Sequence, residues 1–208
     1  MNKPVNFEDL KTAYKYKSDS DLKLTYWIFQ SLQKPMLLSI LKSVANGIIN
    51  YHLPLKGLIK KTVFKLFIAG ETIEEAFQVI DKLEKYGVKS VLDYVSEGEK
   101  SEENFVKNTN IIIQNIKKLG ERSSYNYVSI KITGLEDPMF LAGCNARRFP
   151  TDILLKPRFD KLLARIDSIC NAAAENNIVV YIDAEDRYMQ DIIDTITEFM
   201  MEKYNKEN

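Results

Sequence analysis

Histidine is almost absent from this chain: 208 residues contain one, His52. A Ser-His-Asp system would depend entirely on it, and His52 stands beside Leu53 and Pro54 in what reads as a packing context. Zinc sites built from several histidines are excluded. Cysteine is nearly as scarce. Cys144 and Cys170 lie far apart in no metal-ligand spacing, so free buried thiols in a reducing cytoplasm are expected. Glycine and proline number only 8 and 6, which excludes a low-complexity or disordered chain. Charge of one sign is lacking too. The 29 basic residues balance 29 acidic ones, leaving no global field to attract nucleic acid. Local basic clusters such as Lys56 to Lys65 read as solvated helix faces. No apolar run approaches the ~18 residues of a membrane span, so no integral membrane segment is expected, and peripheral association stays open. Met1 to Leu10 holds no apolar segment and reads as lacking a signal peptide.

What is present is a core. Hydrophobic residues make up 45% of the chain, enough for one domain with a real interior. Chemistry, if there is any, falls to carboxylates, lysines, tyrosines or a cofactor.

The chain is organised around Ile178-Val179-Val180-Tyr181-Ile182-Asp183-Ala184-Glu185-Asp186. A β-branched and aromatic run that stops at an acid reads as a strand buried on both faces, as in parallel sheets covered by helices. Chemistry in such folds gathers at the carboxyl ends of the strands. Asp183 therefore has two readings: a catalytic carboxylate, or the cap of a helix beginning near Arg187.

Asn6 to Leu53 reads as a helical prelude, with one helix opened by Ser20-Asp21 and a second from about Met36 to Ile49. The period then changes. Strands are expected at Thr62–Ile68, Val88–Tyr94 and Tyr127–Thr133, with a fourth around Tyr181. Thr72-Ile73-Glu74-Glu75 has capping-box spacing, and Gly87 suits a left-handed helix end. Helices are expected from about Ser101 to Leu119, Pro157 to Asn176 and Asp186 to Tyr204. A long loop containing Asp137-Pro138 and Arg147-Arg148 separates the third strand from its helix. Strand–helix alternation with short connections implies an α/β fold with a parallel sheet. Four such units are half of a closed (β/α)8 barrel.

Polar residues recur at the strand ends: Gly70-Glu71, Asp93 and Glu97, Lys131 and Thr133, Asp183 and Glu185. Parallel, adjacent strands would bring them to one rim. Lys131 interrupts Val128-Ser129-Ile130-Lys131-Ile132, and a buried lysine is costly unless paired. It reads as a site residue, or as half of a structural ion pair with Asp183 or Asp93. Ala69-Gly70-Glu71 is too short for a glycine-rich phosphate loop.

Four stretches taken together resemble the successive strand motifs of proline dehydrogenases: Phe67-Ile68-Ala69-Gly70-Glu71-Thr72, Leu92-Asp93-Tyr94-Val95-Ser96-Glu97-Gly98, Ile130-Lys131-Ile132-Thr133-Gly134-Leu135 and Ile182-Asp183-Ala184-Glu185. The likeness is to the single-function bacterial type. It implies a TIM-type (β/α)8 barrel whose first four units occupy residues 61–208, after an N-terminal helical segment over 1–60. It also implies FAD as cofactor, oxidation of L-proline to 1-pyrroline-5-carboxylate, and electrons passed to a quinone in the cytoplasm or at the inner membrane. By the same resemblance Lys131 pairs with the substrate carboxylate and Asp183 is needed for catalysis. Ala184 touches the flavin through its backbone, and Glu97 faces a late-helix arginine and helps close the site. The strands and arginines that complete the family's flavin and carboxylate grip are not found in this sequence, so the chain is expected to be an N-terminal half with little activity alone. The other hypothesis is a non-catalytic half-barrel that oligomerises or binds a partner through its open sheet edges.

Overall fold

The structure, a computed structural model, describes residues 6–34, 39, 64–96, 100–122, 127–146 and 154–206. It divides into two compact units, Met1–Lys89 and Ser90–Asn208. The expected second helix of the prelude, His52 and the expected division at residue 60 lie outside the described residues.

In the first unit, α1 (Leu10–Ala13) is capped by Asp9, whose carboxylate accepts the Thr12 amide. α2 (Asp19–Leu32) is capped by Ser18, two residues before the expected start. The expected strand Thr62–Ile68 is not one over its described part. Lys65–Phe67 forms a helical turn, α3, closed by the Ile68 amide on the Phe64 carbonyl at 2.8 Å. A short apolar run has no period of its own to separate strand from helix, and here the local i→i+4 bond prevails. α4 (Ile73–Glu84) starts as the sequence indicates, with Thr72 Oγ1 accepting the Glu75 amide at 3.2 Å. Glu75 reaches back one residue further than a standard box, to the amide of Glu71 at 2.9 Å. Gly87 then turns the chain at φ 74°, which suits a residue without a Cβ.

The second unit holds a parallel sheet in the order β1 (Leu92–Asp93), β2 (Tyr127–Ile130), β3 (Val179–Ile182). Two of the expected strands are shorter than their apolar runs. β1 keeps two residues, and β2 ends at Ile130 because Ile132–Gly134 tightens into a 3-10 turn. Between β1 and β2 runs α5 (Glu102–Gly120), capped by Ser101. The expected loop after β2 contains a helix, α6 (Pro138–Ala146). Asp137 Oδ1 accepts the Met139 and Phe140 amides, and Pro138, lacking an N–H, takes a first-turn position at no hydrogen-bond cost. α7 (Lys156–Glu175) follows and ends in Asn177 at φ 54°, one of the few residue types that accept the left-handed region. After β3, α8 (Arg187–Tyr204) packs against α6 and α7, while α5 packs against α7.

The register pairs Leu92 with Val128 and Val128 with Val180, and Asp93 with Ser129 and Ser129 with Tyr181. Leu92, Val128, Ile130, Val180 and Ile182 thus share one sheet face, the one toward which the helices turn their apolar stripes. Phe105, Ile116, Leu119, Leu162, Ile166, Ile169, Ile193 and Ile196 are fully buried there. The opposite face, carrying Asp93, Tyr127, Ser129, Val179 and Tyr181, is open at Asp93 and over β3, while Ser129 in the central strand is buried. Val179 and Tyr181 are 47% and 49% exposed, so β3 is not buried on both faces as expected. An apolar alternate position on a strand needs only a partial cover, and here Tyr181 stacks on Tyr127 at 5.9 Å.

Candidate active site

The carboxyl ends of β2 and β3 lie side by side because the strands are parallel neighbours. The Asp183 amide continues the ladder onto the Ile130 carbonyl at 3.0 Å, which fixes the height at which β3 stops. Asp183 then turns its carboxylate toward β2. Oδ1 accepts the Ser129 hydroxyl at 3.1 Å, and Oδ2 lies 3.7 Å from Lys131 Nζ. The alternate spacing of Ser129, in β2, and Lys131, extended just past its end, turns both to one side, which is why one acid meets both. The helix-cap reading of Asp183 does not hold: α8 takes Asp186 as its N-cap, without a side-chain bond.

Lys131 is paired with Asp183, and the pair remains open to water. The two side chains are 27% and 43% exposed, so neither carries the desolvation cost of a sealed ion pair. Lys131 borders a cleft of about 420 Å³ together with Thr133, Pro138, Ala184, Glu185, Asp186, Tyr188 and Met189. Ala184 is exposed on this wall. The Tyr188 phenol is pushed above its ordinary range, first by desolvation and then by the Asp186 carboxylate beside it.

A second layer holds this rim. Glu185 receives both the amide and the hydroxyl of Thr133, the former at 3.0 Å, and its own amide donates to Gln190 Oε1 at 2.7 Å. On the β1 side, the buried Asn108 amide donates to Ser96 and to the Gly134 carbonyl, 2.9 Å away. Beneath the loop after β2, Glu136 has no exposed surface and receives Arg158 and Arg165. Arg165 also reaches Glu102 at 2.7 Å, and the two guanidiniums lie over the rings of Phe140 and Phe105.

Of the residues singled out from the sequence, the structure brings Lys131, Asp183 and Ala184 to one rim. Glu97 lies outside the described residues. Gln190, Tyr188 and the Glu136 cluster had not been singled out. Gln190 carried a weak signal, one helical turn beyond Asp186; Glu136 and Arg165 are distant in sequence and carried none. Among the described residues no group of acids, histidines and cysteines is arranged to hold a metal ion, and no helix is long and apolar enough to cross a membrane.

The family model described as proline dehydrogenase matches residues 76–208, more than half of the chain and the whole of the rim just described. The chain belongs to the proline dehydrogenase family. Among curated relatives, it is 27% identical over 246 aligned positions to proline dehydrogenase 1, mitochondrial, of Dictyostelium discoideum, covering 99% of this chain and 43% of that protein. It is 35% identical over 98 positions to proline dehydrogenase 1, mitochondrial, of Caenorhabditis elegans, covering 46% and 16%. The chain therefore spans less than half the length of these relatives. Among solved structures, proline utilization A (PutA) from Bdellovibrio bacteriovorus, inactivated by N-propargylglycine, matches with a TM-score of 0.55 at 20% identity, over 70% of this chain and 16% of that one. That likeness is one of fold, of the TIM-barrel type.

Proposed function

We propose that this chain contributes the substrate rim of an FAD-dependent enzyme that oxidises L-proline to 1-pyrroline-5-carboxylate and passes the electrons to a quinone. The observation that carries the reading is the Lys131–Asp183 pair, 3.7 Å apart on the wall of a cleft, in a chain of this family. A cation and an anion on one rim suit a zwitterionic amino acid. Lys131 faces the carboxylate, and Asp183 balances the ring ammonium. The residues present fit one wall of a flavin site: Ala184 offers its backbone where a larger side chain would block approach. Bound there, FAD supplies the two-electron acceptor, and the chain's share is orientation and electrostatics.

Ser129 donates to the Asp183 carboxylate, and the β2–β3 register brings that acid beside Lys131. Glu97 as a closing acid, the full set of eight barrel units, the single-function bacterial subtype and a cytoplasmic position at the inner membrane belong to the same proposal. A non-catalytic half-barrel is not favoured, since the family match runs through the rim that holds the pair.

The test is L-proline-dependent dye reduction by the FAD-loaded protein, beside Asp183→Asn. Proline turnover that collapses in the variant supports the reading. A variant as active as the parent, or dye reduction by the parent that does not depend on L-proline, overturns it.

A further inference from the structure

Glu185 lines the cleft, and the structure shows its carboxylate engaged by Thr133. Its Oε1 accepts the Thr133 amide at 3.0 Å, and its Oε2 accepts the Thr133 hydroxyl. Thr133 lies two residues beyond Lys131, and Glu185 two residues beyond Asp183. One residue pair therefore ties the ends of both strands, 52 residues apart in the chain, immediately outside the Lys131–Asp183 pair. On the far side the Glu185 amide donates to Gln190 Oε1 at 2.7 Å, and Gln190 Nε2 donates to Asp194 Oδ1 at 2.7 Å. The turn between β3 and α8 is held at both ends, although Asp186 makes no side-chain cap.

We propose that Thr133, Glu185 and Gln190 form a positioning clamp that sets the Asp183–Ala184 turn against Lys131. The inference rests on the proposed proline-oxidising role of that rim. Glu185 is a positioning residue, acting through the backbone of Ala184 and Asp183. Charge-assisted bonds to two donors of one residue fix an angle as well as a distance. Lys131 directly follows β2 and Asp183 keeps its amide bond to Ile130, so loss of the clamp lets the two chain ends part beyond those points, shifting the Ala184 wall and the acid's side chain against the cation. The kinetic signature is a fall in kcat larger than the rise in KM.

Chemistry separates the variants. Glu185→Ala removes both bonds to Thr133, whereas Glu185→Gln can accept the amide with its carbonyl and donate to the hydroxyl with its NH2. Thr133→Val removes only the hydroxyl bond, and Thr133→Ser restores it. The experiment combines two readouts on the FAD-loaded protein. One is kcat and KM for L-proline. The other needs no turnover: the acylation rate of Lys131 in a short acetic anhydride pulse, read by mass spectrometry beside Lys156 and Lys203.

We expect Glu185→Ala to lower kcat on the order of tenfold to a hundredfold. Its Lys131 acylation should rise severalfold as Asp183 withdraws, with Lys156 and Lys203 unchanged. Glu185→Gln and Thr133→Ser should recover most of what their partners lose. An unchanged Lys131 rate in a folded Glu185→Ala protein overturns the clamp. So does a rise at all three lysines with no rescue by Gln, which marks a general loss of structure. If Glu185→Ala does not fold, Thr133→Val against Thr133→Ser decides by the same readouts. Dye reduction by the parent that does not depend on L-proline refutes the activity instead, and the acylation rates still decide the clamp.

Discussion

Arg165 Nη2 meets Glu136 Oε2 at 2.9 Å, in a place where the acid has no exposed surface and the arginine is 8% exposed. The pair fastens the loop after β2 to α7, and so stands beneath the rim that holds Lys131. Removing Arg165 leaves the buried Glu136 with Arg158 alone. Arg165→Met should therefore cost about 1.5–3 kcal/mol of unfolding free energy, as for a hydrogen bond to a charged group, read from urea denaturation. Glu136→Gln combined with Arg165→Met should cost less than the sum of the two single changes. Arg158→Ala should cost less than Arg165→Met, because Arg158 is 43% exposed and remains solvated in part.

The two charged residues of the rim should fail in different ways. Asp183→Asn keeps the Ser129 contact and loses the charge, so kcat should fall about 10²-fold or more. In the proposed function Lys131 contacts the substrate carboxylate, so Lys131→Ala should raise KM by about 10–100-fold. Steady-state kinetics with L-proline check both.

Two glycines of the same unit should respond with opposite signs. A Cβ on Gly134 would collide with the Ser96 carbonyl oxygen, a backbone atom that cannot swing aside. Gly134→Ala should destabilise by about 1–3 kcal/mol. A Cβ on Gly143, inside α6, meets nothing within 4 Å, and Gly143→Ala should stabilise by ~0.5–1 kcal/mol through helix propensity. Paired urea midpoints decide it.

The α7–α8 clasp should give stability a window in pH. Lys203 and Tyr204 both bond the Asp167 carboxylate, and the Lys203 bond chiefly holds its pKa below the ordinary 3.8. A depressed acid stabilises fully above its unfolded value, and that contribution is lost as pH falls through the folded one. At the other end, burial first and Asp167 second push the Cys170 thiol up to about 11 from 9.0, and desolvation with Asp167 raises the Tyr204 phenol as well. Groups with raised values favour the fold below their unfolded pKa and cease to as pH climbs through the folded one. Lys203→Ala should lower Tm at neutral pH, with the difference shrinking below pH 3.8. Iodoacetamide should label Cys170 only on unfolding.

Local signals were legible wherever one turn of chain settles the matter. Ser101 capping α5, Thr72 and Glu75 at α4, and Gly87 in the left-handed region all follow from side chains satisfying amides, or a missing Cβ tolerating φ, within a few residues. Asp137-Pro138 carried the same kind of information and marks the start of α6, where a loop was expected. The strand around Tyr181 and the acid at its end were legible from the apolar run and its abrupt stop.

Lys131 marks the limit of the sequence. Its position in an apolar strand requires a partner, and composition alone offers Asp93 and Asp183 equally. The structure supplies the geometry: β3 brings Asp183 to 3.7 Å, and its amide bond to Ile130 sets the height. The Phe64-to-Ile68 run became a helical turn, and β3 took one open face, because neighbours, which periodicity does not record, supply or withhold the ladder bonds and the cover. Glu136 and Arg165 lie 29 positions apart and look like ordinary surface charges. Their burial exists only once α7 folds back on the loop. The sequence by itself determined which segments are amphipathic, where capping residues start α4 and α5, and that a cation and an acid stand at the ends of apolar runs. Tertiary structure alone decided which charges meet, because burial and pairing depend on distances that the order of residues along a chain does not contain.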